Sequence, residues 1–149
     1  IMICPGARFA VYLAITTLLN PGDEIIVIEP AWPAYKDCAL NAGIKVRTIK
    51  TTLETRWEPS IDQIKNAINE NTKMIVLNYP NNPTGKVISK KLLDTIMQTA
   101  KEHDLYVLSD EIYLEYGQLQ PHHVQSIFHY YYENISQQTS RIYICDRDC

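Results

Sequence analysis

Met74-Ile75-Val76-Leu77, the turn Asn78-Tyr79-Pro80-Asn81-Asn82-Pro83-Thr84-Gly85, a stretch opened by Ser89, and Tyr106-Val107-Leu108 together decide the fold. The two apolar runs are short and unbroken, as in strands covered on both faces. Between them Leu92, Leu93, Ile96, Met97 and Ala100 recur at helical spacing. Strand, helix and strand in that order form a parallel crossover unit. The same alternation extends in both directions. Ile25-Ile26-Val27-Ile28 and Ile142-Tyr143-Ile144 are further buried runs, and Ile1 to Ile3 reads as an opening strand. Lys45 to Ile49 alternates instead and belongs nearer an edge. Ala7, Ala10, Val11, Ala14, Ile15 and Leu18 share one helix face, stopped by Asn20-Pro21-Gly22. Tyr35, Cys38, Ala39 and Ala42 form a second stripe ended by Gly43. Ser60 with Gln63 reads as a capping box ahead of Ile61, Ile64, Ala67 and Ile68. The polar, aromatic segment 118–140 reads as a loop and a helix. The expected class is α/β, a three-layer αβα domain on a mostly parallel sheet.

The 149 residues carry a net charge of -3 and 46% hydrophobic residues, an ordinary globular composition. That length suits one domain or a piece of a larger one. The apolar runs are too short to span a bilayer, and the mild acidity offers no basic surface for nucleic acid. A targeting segment ahead of the first element is not expected, and the expected location is the cytoplasm. Cys4, Cys38, Cys145 and Cys149 form no C-x-x-C pair and read as reduced thiols. His122, His123 and His129 lack carboxylates at ligand spacing, so no metal site is expected. Asn134-Ile135-Ser136 is a sequon without other signs of secretion.

In an open α/β sheet, ligands bind beyond the carboxyl ends of the strands. Four segments stand there. Pro5-Gly6-Ala7-Arg8 leads into a helix whose free N–H groups suit a phosphate. Read alone, it is a tight turn. Glu29-Pro30-Ala31-Trp32-Pro33-Ala34-Tyr35 holds an indole between prolines, suited to an aromatic ligand or to the core. In Asn78 to Gly85, the Asn82 amide can donate to a ligand oxygen, although such runs are commonly surface turns. In Ser109-Asp110-Glu111-Ile112-Tyr113, Asp110 ends an apolar run and, if buried, calls for a cationic partner. Glu111 belongs on the opposite face, which argues against an acid/base pair. Gly85-Lys86-Val87 and the lack of G-x-G-x-x-G exclude both phosphate-loop fingerprints.

Taken together, these segments resemble the class I and II aminotransferases of the fold-type-I pyridoxal-phosphate enzymes. Asn81-Asn82-Pro83-Thr84-Gly85 and Ser109-Asp110-Glu111-Ile112-Tyr113 are the most specific parts. Pro21-Gly22-Asp23-Glu24 and Pro30 to Tyr35 add weight, and the resemblance runs from Gly6 to about Tyr143. It implies pyridoxal 5'-phosphate as cofactor, amino acid and 2-oxo acid as substrates, and a homodimer. Backbone N–H groups of Gly6, Ala7 and Arg8 would meet the phosphate. Trp32 would stack on the ring, Asp110 would pair with its pyridinium nitrogen, and Asn82 and Tyr113 would hydrogen-bond its 3-oxygen. Tyr35 would be a second aromatic wall. Cis bonds before Pro30 and Pro83 are also implied.

The sequence departs from the family where the Schiff-base lysine belongs. Past the strand at Arg141 to Ile144 it reads Cys145-Asp146-Arg147-Asp148-Cys149, and no lysine follows Lys101. Lys86 stands at a position where the family tolerates many residues. Residues 1–149 are therefore expected to be the central part of a cofactor-binding large domain. The N-terminal arm, small domain, lysine segment and carboxylate-binding arginine would be missing, and the chain alone would lack transaminase activity. Two alternatives share the fold: a lyase or synthase using the same cofactor, and a non-catalytic binding module. A generic nucleotide-binding α/β domain ranks below them.

Overall fold

A computed structural model describes residues 2–113 and the strand at 141–144. Among these residues five strands form one parallel sheet: β1 (Glu24–Glu29), β2 (Lys45–Lys50), β3 (Thr72–Asn78), β4 (Tyr106–Asp110) and β5 (Arg141–Ile144). Their order across the sheet is β2-β1-β3-β4-β5, with every neighbouring pair parallel. Among the described residues four helices connect or flank them: α1 (Ala7–Leu18), α2 (Ala34–Asn41), α3 (Ile61–Ala67) and α4 (Lys90–Glu102). β2 lies at the edge, and its side chains alternate toward solvent as its sequence does.

Alternate residues of the inner strands feed two separate cores. Ile26, Ile28, Ile75, Leu77 and Val107 pack with Ile64, Leu93, Ile96 and Met97 of α3 and α4. Ile25, Val27, Met74, Val76 and Leu108 pack with Val11, Ile15, Tyr35 and Ala39 of α1 and α2. Helices on both faces make three layers, which explains why the inner strands are apolar at every position. The caps follow local chemistry. Gln63 N–H donates to Ser60 Oγ at 3.1 Å and Ser60 N–H to Gln63 Oε1 at 2.9 Å, which completes the capping box. Ser89 Oγ accepts from Leu92 N–H.

The opening strand is not formed at the residues described there. Met2 to Cys4 have no regular structure, and Ile3 is 96% exposed. Three apolar residues propose a strand, but a strand needs a neighbour for its backbone groups, and none pairs with these among the described residues. The expected loop and helix at 118–140, His122, His123, His129, the sequon at Asn134, Cys145 and Cys149 lie outside the described residues. Among those described, no helix is long and apolar enough to cross a membrane.

A buried carboxylate pins the amino ends of the first three strands. Glu24 accepts from Arg47, Asn69 and Thr72. Burial pushes its carboxyl up, but these hydrogen bonds outweigh it and hold it below its ordinary 4.5. The stabilisation is therefore present above that value and is lost as pH falls through the lowered folded value. Glu24→Ala leaves Asn69 and Thr72 without their acceptor and is expected to cost about 1–3 kcal/mol. Urea unfolding at neutral pH measures it, and an unchanged midpoint would refute the assignment.

Candidate functional site

The strand order reverses direction at β1 and β3, which opens a crevice at their carboxyl ends. A cleft of about 170 Å³ lies there, walled by Ala7, Trp32, Tyr35, Asn78, Asn82, Asp110, Ile112 and Tyr113. Residues from three strand ends and one helix start thus converge, although they span more than a hundred positions of sequence. The peptide bonds before Pro30 and Pro83 are cis, and so is the one before Pro80.

Asp110 ends β4 and is 2% exposed. Tyr35 O–H donates to its Oδ2 at 2.5 Å, and Ile112 N–H lies 3.4 Å from its Oδ1. Burial pushes the Asp110 carboxyl above its ordinary range, and these two donors only partly oppose that. Burial and then the Asp110 charge hold the Tyr35 phenol far above its ordinary value, so it remains a donor. Among the described residues no Lys, Arg or His forms an ion pair with Asp110. The cationic partner that a buried carboxylate calls for is not supplied by these residues. Tyr35, expected only as a wall, is therefore the hydrogen-bond partner of Asp110. The pairing spans 75 positions, and no local signal announces it.

Ser109 and Glu111 face the other way. Ser109 Oγ donates to Glu111 Oε1 at 2.9 Å, on the side opposite the Tyr35–Asp110 pair. The alternation of strand side chains separates the two carboxylates. Asn82 and Tyr113 do come together, with Asn82 Nδ2 donating to the Tyr113 hydroxyl at 3.2 Å. The turn carrying Asn82 is folded on Asn81, whose Oδ1 accepts from Thr84 N–H and Thr84 O–H.

Gly6 precedes α1 with φ 92° and ψ 158°. That region is essentially closed to residues with a Cβ, so the glycine is required by the chain path. Ala7 and Arg8 N–H groups begin the helix without acceptors among the described residues. Ala7 lines the cleft, whereas Gly6 lies just before it. Arg8 covers one face of Trp32, its guanidinium carbon 5.0 Å from the ring centroid. Trp32 also meets Tyr35 edge to face at 5.5 Å. Among the described residues no cluster of metal-ligating side chains forms.

The family described as "Aminotransferase class I and II" matches residues 1–141. The chain belongs to this family. Its relatives include an aspartate aminotransferase of Musicola paradisiaca, 39% identical over 113 residues, or 76% of this chain and 28% of the relative. An asparagine–oxo-acid transaminase of Streptococcus mutans is 41% identical over 114 residues, with 76% and 29% covered. The crystal structure of an aspartate aminotransferase from Thermotoga maritima superimposes with TM-score 0.82 at 32% identity, over 94% of this chain and 36% of that one. The chain thus spans under a third of the length of these two curated aminotransferase relatives.

Proposed function

We propose that this crevice binds pyridoxal 5'-phosphate and belongs to an enzyme that transfers an amino group from an amino acid to a 2-oxo acid. The observation that carries the proposal is Asp110: a buried carboxylate at the floor of an aromatic-walled cleft, with no cation among the described residues to neutralise it. A protonated pyridine ring supplies both the missing positive charge and the flat surface. When bound, the cofactor supplies an electron sink for bonds at the substrate's α-carbon.

Each side chain then has a defined task. Asp110 would keep the ring nitrogen protonated, with its carboxylate held by the Tyr35 O–H on Oδ2. Trp32 would stack on the ring, and Asn82 and Tyr113 would hydrogen-bond its 3-oxygen. Ala7 and Arg8 would present N–H groups to the phosphate at the start of α1, where the helix dipole favours an anion, whereas the Gly6 N–H, expected to join them, is already donated to the Cys4 carbonyl at 2.8 Å. Residues 1–149 are then the central part of the cofactor-binding large domain. A homodimer and a cytoplasmic location are part of the same proposal.

Pyridoxal phosphate added to the purified chain tests the reading. Saturable quenching of tryptophan fluorescence with a shifted cofactor absorption band is expected, and inorganic phosphate at high concentration should compete. No saturable change would overturn the proposal. Product analysis of the turnover reaction in a full-length enzyme built on this sequence distinguishes amino transfer from elimination at the β or γ carbon.

A further inference from the structure

We infer that Asn78 is a positioning residue of the crevice: its amide ties the Asn82 turn to the end of β4. The inference rests on the cofactor reading for its consequence, but the tie itself is a matter of geometry. Asn78 is the last residue of β3 and stands in register with Asp110, the last residue of β4. Its Oδ1 accepts from Asn82 N–H at 3.0 Å, and its Nδ2 donates to the Asp110 carbonyl at 3.1 Å. The partners are one N–H and one C=O, so the amide has only one orientation that satisfies both.

The ladder between the strands stops at this pair. Among the described residues no backbone hydrogen bond joins 79–88 to 111–113. Beyond the sheet, the two segments that carry Asn82 and Tyr113 are linked instead by side chains. The links run from the Asp110 carbonyl to Asn78, from Asn78 to Asn82 N–H, and from Asn82 Nδ2 to the Tyr113 hydroxyl. Asn78 is 6% exposed, so water cannot readily replace it. A neutral amide suits the place. A cation there would neutralise Asp110, and a second carboxylate would compete with it for a proton. Aspartate keeps the acceptor but loses the donor, leucine loses both, and glutamine is one methylene too long for the same two partners.

The test uses the full chain and two variants, Asn78→Leu and Asn78→Asp. Hydrogen exchange of the Asn82 amide is followed without cofactor, and pyridoxal phosphate is then titrated. Asn78→Leu should speed Asn82 exchange at least tenfold and weaken cofactor binding at least tenfold. Asn78→Asp should keep Asn82 protected to within about threefold, because the acceptor survives. Glu24→Gln, at the other end of the sheet, serves as a control for lost stability and should leave Asn82 exchange and cofactor affinity unchanged. Unchanged Asn82 exchange in Asn78→Leu, or Asn82 exchange in Asn78→Asp as fast as in Asn78→Leu, would overturn the inference. Should Asn78→Leu fail to fold, protection of Asn82 in Asn78→Asp decides the matter. A wild-type chain that binds no cofactor refutes the function proposed above and leaves the exchange data to judge Asn78.

Discussion

Asp110→Asn is expected to abolish cofactor retention while leaving the fold intact. The two side chains have the same shape, and the asparagine carbonyl can accept the Tyr35 O–H that now reaches Oδ2. What disappears is the charge, together with the long Ile112 N–H contact at 3.4 Å, because an amide offers only one acceptor oxygen. Removing one partner of a buried ion pair costs about 3–5 kcal/mol, because the other charge is left uncompensated. In affinity for pyridoxal phosphate that is a loss of roughly a hundredfold to several thousandfold. The same substitution should not weaken the cofactor-free protein. The Asp110 carboxyl is held above its ordinary 3.8 by burial. A raised folded value means that the native state binds the proton more tightly than the unfolded chain. The carboxyl's contribution to stability therefore falls as pH rises from 3.8 through the folded value. Thermal melts across pH should show Asp110→Asn equal to wild type or better above that window, with its advantage shrinking toward pH 3.8. Wild-type affinity in the variant would sink the assignment of Asp110 to the ring nitrogen.

The chain as it stands is expected to show no transaminase turnover, even when saturated with cofactor. Amino transfer on pyridoxal phosphate requires an amine that holds the cofactor covalently and then moves a proton at the substrate's α-carbon. All nine lysines of the sequence lie among the described residues, and the cleft wall contains none of them. Lys36 pairs with Glu29, Lys90 pairs with Asp94, and Lys86 lies 2.8 Å from Glu58. Lys86, which follows the Asn-Pro-Thr-Gly turn, is thus engaged away from Asp110. A coupled assay for 2-oxo acid formation from an amino acid and 2-oxoglutarate should read the uncatalysed background. Turnover above it, dependent on added cofactor, would show that another group takes the lysine's place.

Much of the fold was legible because its rules are local. Unbroken apolar runs marked the inner strands, and the alternation from Lys45 to Ile49 marked the edge strand. Ser60 with Gln63 and Ser89 marked two helix starts. All of these depend on residues within a few positions of one another. The reading went wrong at Ile1 to Ile3 for the converse reason. An apolar triplet meets the composition of a strand, but pairing is a property of two segments, and Met2 to Cys4 lie against no strand among the described residues.

The candidate site divides in the same way. Trp32, Asn82, Asp110 and Tyr113 stood out because each stands at or just beyond the end of an apolar run, and the structure sets all four around one cleft. The partners of these residues did not stand out. Tyr35 lies on an apolar helix stripe and reads as core until its hydroxyl is seen on Asp110. Asn78 reads as the first residue of a polar turn until its amide is seen to hold two segments at once. Arg8 reads as a phosphate neighbour until its guanidinium is found over Trp32.

Apart from the opening apolar triplet, the sequence by itself determined which of the described segments are strands and helices, their order, the caps, and which residues end up at or beyond the strand ends. These follow from periodicity and from side chains bonding to nearby backbone. Only the tertiary structure decided what each of those residues touches. Parallel neighbours in this sheet are distant in sequence, so the contacts of Asp110 depend on the register of β3 against β4 and on how α2 packs over them. Those are set by the whole core at once. The buried carboxylate lacking a cation among the described residues, on which the proposed function rests, arises at that level.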